Sequence, residues 1–371
     1  MKLPRGTLVK LNNSPNSCTR KMKELEELEI PRYTLFGPGA INNVGKILSM
    51  LKLGPSALVL TGTTHSKKAL GGLVGNNMIT EEVDSVNAEV ITGLAHRYRG
   101  IDAVISIGGG RIVDAGKAIA FLLDKPFISV PTVASHDGIA SPYVSYTLQL
   151  ELMRLGYPKI HKTPLAIIAD TSIITEAPRR YLTAGIGELI GKLIAVKDWE
   201  LGAKIKGESF SEYAATLALS SYQIIMRNKQ NLKRHDEGAT RIVVKALIGC
   251  GVAMAIAGSS RPCSGSEHLF SHALELLTKE RGMRSPLHGE QVALGTIAMA
   301  YLHGLNWRRI KKTMQELGIP TKLSDIGIDK EMAIEALTMA HTIRPDRYTI
   351  LGTDGITRKA AETALEVTEL I

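Results

Sequence analysis

Cysteines, aromatic residues and long apolar runs are all scarce in this chain, and each scarcity excludes a class of protein. The 371 residues include only three cysteines, Cys18, Cys250 and Cys263, and no Cys-x-x-Cys pair. The sequence therefore predicts neither a disulfide framework nor a thiolate zinc site. The longest nearly apolar run, Ala246 to Gly258, is too short to span a bilayer, and the first 30 residues contain no signal-peptide core. We expect a reduced, cytoplasmic protein without membrane insertion.

Acidic residues are missing from the first 23 positions, and this absence accounts for most of the net charge. The chain has a formal net charge of +9, and six of these charges belong to lysines and arginines before residue 24. The remainder carries only +3, and aromatic residues make up 5% of the chain. This distribution does not favour nucleic-acid binding, so a basic nucleotide- or RNA-binding protein is kept only as an alternative from another class. We expect residues 1–30 to form a flexible leader.

The order of apolar patterns predicts two domains. Short apolar runs of the type buried in parallel sheets recur at 57–60, 103–107, 127–130 and 165–169, with helical periodicity between them. After about residue 175 the strand-like runs disappear, and only helical patterns follow. We predict an α/β nucleotide-binding domain with a Rossmann-like parallel sheet over 31–175, followed by an all-α helical domain over 176–371. The active site is expected in the cleft between them.

The common Gly-x-Gly-x-x-Gly fingerprint is absent, but a glycine triplet at 108–110 joins a predicted strand directly to a predicted helix. Glycine lets a phosphate approach the backbone closely, and the start of a helix offers free amide groups. A polar loop over 131–138 follows the next strand, at the sheet edge where ligands bind in open α/β sheets. Its hydroxyls could contact a nicotinamide or a phosphate, and Asp137 is a candidate acid or base. The same residues would also suit ordinary turns.

Three histidines within 21 residues suggest a metal site. Ser264 and Glu267 form a capping box that predicts a helix start, and His268 and His272 are four residues apart, on one face of that helix. His288 follows after a break in the helical pattern. Two imidazoles, one carboxylate and an open position are the usual ligands of a catalytic zinc ion.

The carboxylate of that set has to come from elsewhere in the chain. Asp170 stands at the end of the apolar run over 165–169. Because ligands bind at the carboxyl ends of parallel strands, we expect Asp170 to face the histidines across the cleft.

Five motifs, in this order, resemble a known superfamily: GGGRIVDAGK, VPTVASHDGIASPYVSY, PLAIIADTSIITEAPRRYLTAGIGELIGK, SGSEHLFSH and PLHGEQVALGT. They are similar to the metal-dependent alcohol dehydrogenases and dehydroquinate synthases, and within that superfamily to the archaeal glycerol-1-phosphate dehydrogenases. The resemblance runs from about residue 31 to 371.

The resemblance implies a role for each motif. It implies that Asp170, His268 and His288 hold one Zn²⁺ per subunit, and that Asp137, Asp170 and His272 lie at the catalytic and substrate site. The cofactor NAD(H) or NADP(H) is expected at Gly108, Gly109, Gly110, Arg111, Ile112, Thr132, Val133, Ala134, Ser135 and Ser141.

The resemblance also implies a reaction. Dihydroxyacetone phosphate would be reduced reversibly to sn-glycerol 1-phosphate, with zinc polarising the C2 carbonyl, to supply the glycerophosphate backbone of archaeal-type membrane phospholipids. The proton could be relayed by a substrate hydroxyl, Asp137 or His272. A glycerol or polyol dehydrogenase and a dehydroquinate synthase-like enzyme are the alternatives within the superfamily. We also expect a homo-oligomer.

Two finer expectations concern specificity. The second predicted strand ends at Thr61-Gly62 without an acid that would repel a 2′-phosphate, so NADPH should be accepted as well as NADH. Lys192, in the GELIGK stretch, is a candidate contact for the substrate phosphate, although a solvated helix lysine is the simpler interpretation.

Overall fold

Six parallel strands form one sheet in the amino-terminal half. The structure is a computed structural model that describes residues 28–63, 65–70 and 78–371, so most of the predicted leader lies outside the described residues. The strands are β1 (Tyr33–Gly37), β2 (Ala57–Thr61), β3 (Met78–Glu82), β4 (Ala103–Gly108), β5 (Phe127–Pro131) and β6 (Ala166–Asp170). Their order is β1-β6-β5-β4-β2-β3. The order changes direction between β2 and β4, and ligands bind at such switch points.

Helices cover both faces of this sheet and then make up the rest of the chain. The first five are α1 (Val44–Met50), α2 (His65–Ala69), α3 (Ala88–Arg97), α4 (Gly110–Leu123) and α5 (Tyr146–Arg154). The others are α6 (Thr171–Glu176), α7 (Arg179–Lys206), α8 (Glu212–Arg227), α9 (Lys229–Leu232), α10 (Glu237–Ala257), α11 (Ser266–Glu280), α12 (His288–Leu302), α13 (Trp307–Glu316), α14 (Lys330–Ile343) and α15 (Arg358–Val367). The predicted fold class, a Rossmann-like parallel sheet followed by helices, is confirmed.

The apolar runs form strands because both of their faces are covered. Leu58 and Leu60 pack with α3 and α4 on one face, whereas Val59 and Ile105 pack with α1 on the other. Side chains alternate between the two faces of a strand, so a strand buried on both faces is apolar at every position. This explains the uninterrupted runs in the sequence.

The start of α11 differs from the predicted capping box. The helix begins at Ser266 after Gly265, and Ser264 does not cap it. The cap comes from α7 instead, where Asp198 Oδ2 accepts hydrogen bonds from both the amide and the hydroxyl of Ser266, each at 2.6 Å. Glu267 is one of the predicted pair, and its Oε1 does accept from the amide of Gly265 at 3.1 Å. A carboxylate from another helix therefore fixes the start of the histidine helix.

Helix α10 is long and apolar enough to cross a membrane by length and composition. However, 61% of its most apolar window is buried inside the protein, where it packs against α8. It is therefore a core helix, as expected from its sequence.

Glycines bring α7 and α12 into backbone contact. A Cβ on Gly289 would lie 2.0 Å from the carbonyl oxygen of Ala184, and one on Gly187 would lie 2.6 Å from the carbonyl oxygen of Gly289. No larger residue fits at either position without moving a helix. The contact places Glu188 on α7 beside His288, the first residue of α12.

Candidate active site

A cleft of about 740 Å³ opens at the carboxyl edge of the sheet, in the size range of ligand sites. Gly109 and Gly110 line it from the sheet side, and His268, His272 and His288 line it from α11 and α12. The two predicted functional regions thus share one cavity. It was expected between the sheet and the helices.

Glu188, His268 and His288 converge in this cleft. Nε2 of His268 lies 3.1 Å from Oε1 of Glu188, and Nε2 of His288 lies 3.6 Å from Oε2 of the same carboxylate. The two imidazole centroids are 5.1 Å apart. Donor atoms of the three side chains lie within 4.8 Å of one another, so one metal ion could bind all three.

A second carboxylate stands behind each imidazole. Nδ1 of His268 contacts Glu267 Oε1 at 2.6 Å, and Nδ1 of His288 contacts Glu275 Oε1 at 3.0 Å. Metal-binding histidines usually donate their other N–H to a carboxylate, which fixes the tautomer and the orientation of the ring. Both Nε2 atoms are therefore free to face a metal ion at Glu188.

The charges around this set suit a divalent cation. Burial lowers the pKa of His268, but the carboxylates of Glu188 and Glu267 outweigh burial and raise it to about 9. Burial raises the pKa of Glu188, but Lys192 and His268 outweigh that effect and hold it well below its usual range. The buried Oε2 of Glu188 accepts no hydrogen bond from the described part of the chain. One carboxylate and two imidazoles with a free oxygen fit zinc.

A second group, His272, Glu275 and His288, also has donor atoms close enough for a metal ion. In this group both imidazoles use Nδ1 to contact Glu275. Nδ1 of His272 is 3.2 Å from Oε2, and Nδ1 of His288 is 3.0 Å from Oε1. Glu275 therefore serves better as the carboxylate that orients both rings than as a ligand.

The third group combines Asp137 with Cys250 and Cys263. Burial raises the pKa of the Cys263 thiol well above its usual range, whereas zinc binds the thiolate. Asp137 is paired with a lysine, Lys192, at 2.7 Å. The neutral thiol and the paired carboxylate make this group a poor metal site.

Asp170 is not brought to the histidines, which corrects the predicted ligand set. It caps α6, which begins at the next residue, and its Oδ1 accepts from the amides of Ser172 and Ile173 at 3.1 and 3.4 Å. Its Oδ2 accepts from the amide of Ile41 at 3.1 Å. The carboxylate is satisfied by backbone amides, and Asp170 does not line the cleft. The carboxylate in the site is Glu188.

Lys192 is fully buried, so it cannot be the solvated lysine or the phosphate contact considered from the sequence. Its ammonium group donates to Asp137 Oδ2 at 2.7 Å, to Glu188 Oε1 at 2.5 Å and to the Cys263 carbonyl at 3.0 Å. Three acceptors use all three of its donors. Lys192 therefore links Asp137 to the carboxylate of the candidate metal set.

Asp137 and His272 line the cleft beside that set, and their role at the substrate stays a prediction. His272 stacks on Tyr146 with ring centroids 5.0 Å apart, and on His288 at 5.5 Å. Burial lowers the pKa of His272 to about 4, although Glu275 opposes the shift. Its imidazole is therefore neutral near pH 7.

Most of the predicted cofactor residues line the cleft. They are Gly109, Gly110, Arg111, Ile112, Thr132, Val133, Ser135 and Ser141. The other two predicted residues, Gly108 and Ala134, lie behind the surface of the cleft. Gly108 ends β4, and its carbonyl accepts from the amide of Thr132 at 3.0 Å, while the carbonyl of Ala134 faces Gly185 on α7. These two support the lining and do not form part of it.

The cofactor side also contains a residue that the sequence did not single out. Asp84 lines the cleft beyond β3, together with Gly62, which follows β2. Lys67 is paired with Glu82 at 2.6 Å. Thr61, at the end of β2, is not acidic, as noted from the sequence, but Asp84 adds an exposed carboxylate nearby.

A family model and several named dehydrogenases are similar to this chain. Residues 35–178 match the family model of the iron-containing alcohol dehydrogenases. The chain is 55% identical to the glycerol-1-phosphate dehydrogenase (NAD(P)+) of Caldivirga maquilingensis, over 94% of this chain and 100% of that protein. It is 46% identical to the protein of the same name from Pyrococcus horikoshii, over 93% and 99% of the two chains.

Solved structures show the same fold. The glycerol dehydrogenase of Schizosaccharomyces pombe superposes with a TM-score of 0.73 at 19% identity, over 93% of this chain and 91% of that one. The maleylacetate reductase of Agrobacterium tumefaciens gives a TM-score of 0.66 at 17% identity, over 94% and 98%.

Proposed function

The chain belongs to the glycerol-1-phosphate dehydrogenase family, and we propose that it uses NADH or NADPH to reduce dihydroxyacetone phosphate reversibly to sn-glycerol 1-phosphate. The observation that carries the proposal is one cleft in which a glycine-lined helix start and a set of one carboxylate and two imidazoles face each other. The product would supply the glycerophosphate backbone of archaeal-type membrane phospholipids.

Glu188, His268 and His288 would hold one zinc ion. Bound there, zinc would act as a Lewis acid toward the C2 carbonyl oxygen of the substrate. Glu267 and Glu275 would keep the two imidazoles oriented through their Nδ1 atoms.

The cofactor would lie along the sheet edge. The nicotinamide supplies or accepts the hydride when it is bound. The amides of Gly110 and Arg111 are not used within α4, because the bonds to the Gly109 carbonyl begin only with Ile112, and both residues line the cleft. These amides and the positive end of the helix dipole suit the pyrophosphate, and the hydroxyls of Thr132 and Ser141 are close by.

His272 would bind a substrate hydroxyl. Burial raises the pKa of Glu275, but its contacts with His272 and His288 outweigh burial and lower it, so this carboxylate is ionised. An ionised Glu275 requires a proton on Nδ1 of His272, which leaves Nε2 as an acceptor. In the oxidation direction Nε2 would take up the hydroxyl proton. Asp137 offers a second acceptor, which Lys192 keeps in place.

The experiment is to follow NAD(P)H oxidation on addition of dihydroxyacetone phosphate and to analyse the chirality of the product. We expect the sn-1 isomer. The sn-3 isomer, or no oxidation by the zinc-loaded protein, would contradict the proposal. Equal oxidation of glycerol would favour the polyol dehydrogenase alternative. A homo-oligomer in the cytoplasm stays our prediction, which ultracentrifugation and cell fractionation would test.

A further inference from the structure

A guanidinium group without a hydrogen-bond partner among the described residues lies beside the substrate region of the cleft. Arg344 follows α14 and lines the cavity, and its buried Nε donates to no described residue. The guanidinium carbon is 5.4 Å from the ring centroid of Tyr146, and that ring also stacks on His272. Arg344 is therefore one side chain away from the residue proposed to bind a substrate hydroxyl.

Two more cations stand near Arg344. Arg347 donates to the carbonyl of Ser264 at 3.3 Å and to the hydroxyl of Ser260 at 2.9 Å, which fixes its guanidinium group beside the cleft. The ammonium group of Lys159 lies 5.0 Å from the ring centroid of Tyr143. Within the described ranges, none of the three cations has a carboxylate within 4.0 Å.

Arg344 and Arg347 are half-buried, and the positive charges of these two groups and of Lys159 repel one another. Burial and the charges of Arg344 and Arg261 together lower the pKa of Arg347 to about 9, with only partial opposition from Asp346. Burial also lowers the pKa of Lys159, and Arg344 and Arg347 add to that effect. Uncompensated buried charge is unfavourable, so an anion at this place would be stabilising.

A neutral donor is also unused there. The hydroxyl of Tyr143 is buried and has no hydrogen-bond partner among the described residues, although Tyr143 lines the cleft. Burial raises the pKa of Tyr143 to about 12, so the hydroxyl keeps its proton. Buried hydroxyl groups without a partner are rare in proteins and suggest a missing ligand.

We propose that Arg344 binds the phosphate group of the substrate, with charge support from Arg347 and Lys159 and a hydrogen bond from the Tyr143 hydroxyl. The planar guanidinium group can donate two parallel hydrogen bonds to a phosphate, which gives both energy and orientation. The inference rests on the proposed function, since it names the site for the phosphate end of dihydroxyacetone phosphate. That end is the one which distinguishes the substrate from unphosphorylated dihydroxyacetone.

The test compares the two substrates in the zinc-loaded enzyme. Arg344→Met should lower kcat/KM for dihydroxyacetone phosphate by at least about tenfold, which corresponds to about 1.4 kcal/mol. The value for dihydroxyacetone should stay within about threefold, or about 0.7 kcal/mol, because this substrate has no phosphate for Arg344 to bind. Arg358→Met is the matched control, because Arg358 is an exposed arginine paired with Glu331 outside the cleft. An equal loss on both substrates would mean that Arg344 only supports Tyr146, and no loss would also reject the inference.

A binding measurement separates this inference from the proposed function. Calorimetric titration of the wild type with inorganic phosphate and with glycerol 1-phosphate should show binding that Arg344→Met loses, whereas glycerol binding is unchanged. The wild type could fail to reduce dihydroxyacetone phosphate and still bind phosphate in a way that Arg344→Met abolishes. In that case the proposed function is wrong and the phosphate site stands. If the wild type is active and Arg344→Met binds phosphate normally, the site is wrong and the function stands.

Tyr143→Phe is a second test of the site, which remains available if Arg344→Met does not fold. It removes only the unpartnered hydroxyl, so the protein should fold as well as the wild type. We expect a severalfold lower kcat/KM for dihydroxyacetone phosphate alone, because one neutral hydrogen bond to the phosphate is lost. A variant with unchanged discrimination between the two substrates would place the phosphate elsewhere.

Discussion

Replacing Glu188 with glutamine removes one carboxylate charge from the candidate metal set with almost no change of shape. The glutamine side chain keeps an oxygen, but its amide is a much weaker zinc ligand than a carboxylate. Loss of an outer carboxylate behind a ligand usually weakens metal binding about 10- to 100-fold. Loss of the ligand itself should therefore cost at least about 100-fold, or roughly 2.7 kcal/mol.

The same substitution also affects the metal-free protein. Oε1 of Glu188 accepts from Lys192 at 2.5 Å and faces His268 at 3.1 Å, all in a fully buried environment. Breaking a buried ion pair typically costs about 3–5 kcal/mol. Asp137 still pairs with Lys192 in the variant, so we expect a free energy of unfolding lower by about 3 kcal/mol, the low end of that range.

Asp170→Asn is the matched control, because it is the same isosteric change at the other candidate carboxylate. Asp170 caps α6 and does not line the cleft, so the variant should keep its zinc and lose about 1 kcal/mol of stability. Zinc content after dialysis against a competing chelator and urea unfolding with the metal removed measure the two effects separately. Normal zinc affinity in Glu188→Gln, or loss of zinc in Asp170→Asn, would refute the assignment of Glu188.

Three further predictions test the surroundings of the site. Glu267→Gln should weaken zinc binding about 10- to 100-fold while all three ligands remain, and chelator competition would contradict this if the affinity were unchanged. Gly110→Ala should weaken NADH binding at least about tenfold, because its Cβ would lie 1.7 Å from Nε2 of His136. Fluorescence titration tests this against Gly93→Ala, which has no neighbouring atom within 4 Å, and equal affinities would argue against the proposed cofactor position. The kcat/KM values for NADH and NADPH should differ by less than about a thousandfold, roughly 4 kcal/mol, and a larger preference for NADH would show that another group, for which Asp84 is the candidate, excludes the 2′-phosphate.

The central strands could be predicted because burial on both faces leaves a continuous apolar run. The run over 103–107 forms β4 (Ala103–Gly108), and the run over 57–60 forms β2 (Ala57–Thr61). The edge strand β3 reads MITEE and has exposed positions at Ile79, Thr80 and Glu82, so it has no such run. Strand pattern is therefore a good guide to the centre of this sheet and a poor one to its edge.

Helix boundaries depended on contacts that the local sequence does not contain. Ser264 and Glu267 satisfy the capping-box pattern, yet the helix begins at Ser266, one residue later than that pattern predicts, where Asp198 from α7 supplies the cap. A local motif competes with every other carboxylate that the fold brings near, and only tertiary structure decides between them. The two histidines on the following turns were unaffected, since their spacing sets their common face wherever the helix starts.

The prediction of Asp170 as a metal ligand rests on its position at the end of a parallel strand, and that position alone is weak evidence for a ligand. An aspartate after a parallel strand is well placed for ligands, but it is equally well placed to cap the helix that follows. At Asp170 the helix begins at the next residue, so backbone amides satisfy the carboxylate. Glu188 stood in an apolar, glycine-rich helix, where Lys192 four residues later offered a simple ion pair. A buried carboxylate requires such partners, but the packing of α7 against α11 and α12 adds two imidazoles, His268 and His288, that an ion pair does not need. That excess of donor groups around one carboxylate is what points to a metal ion.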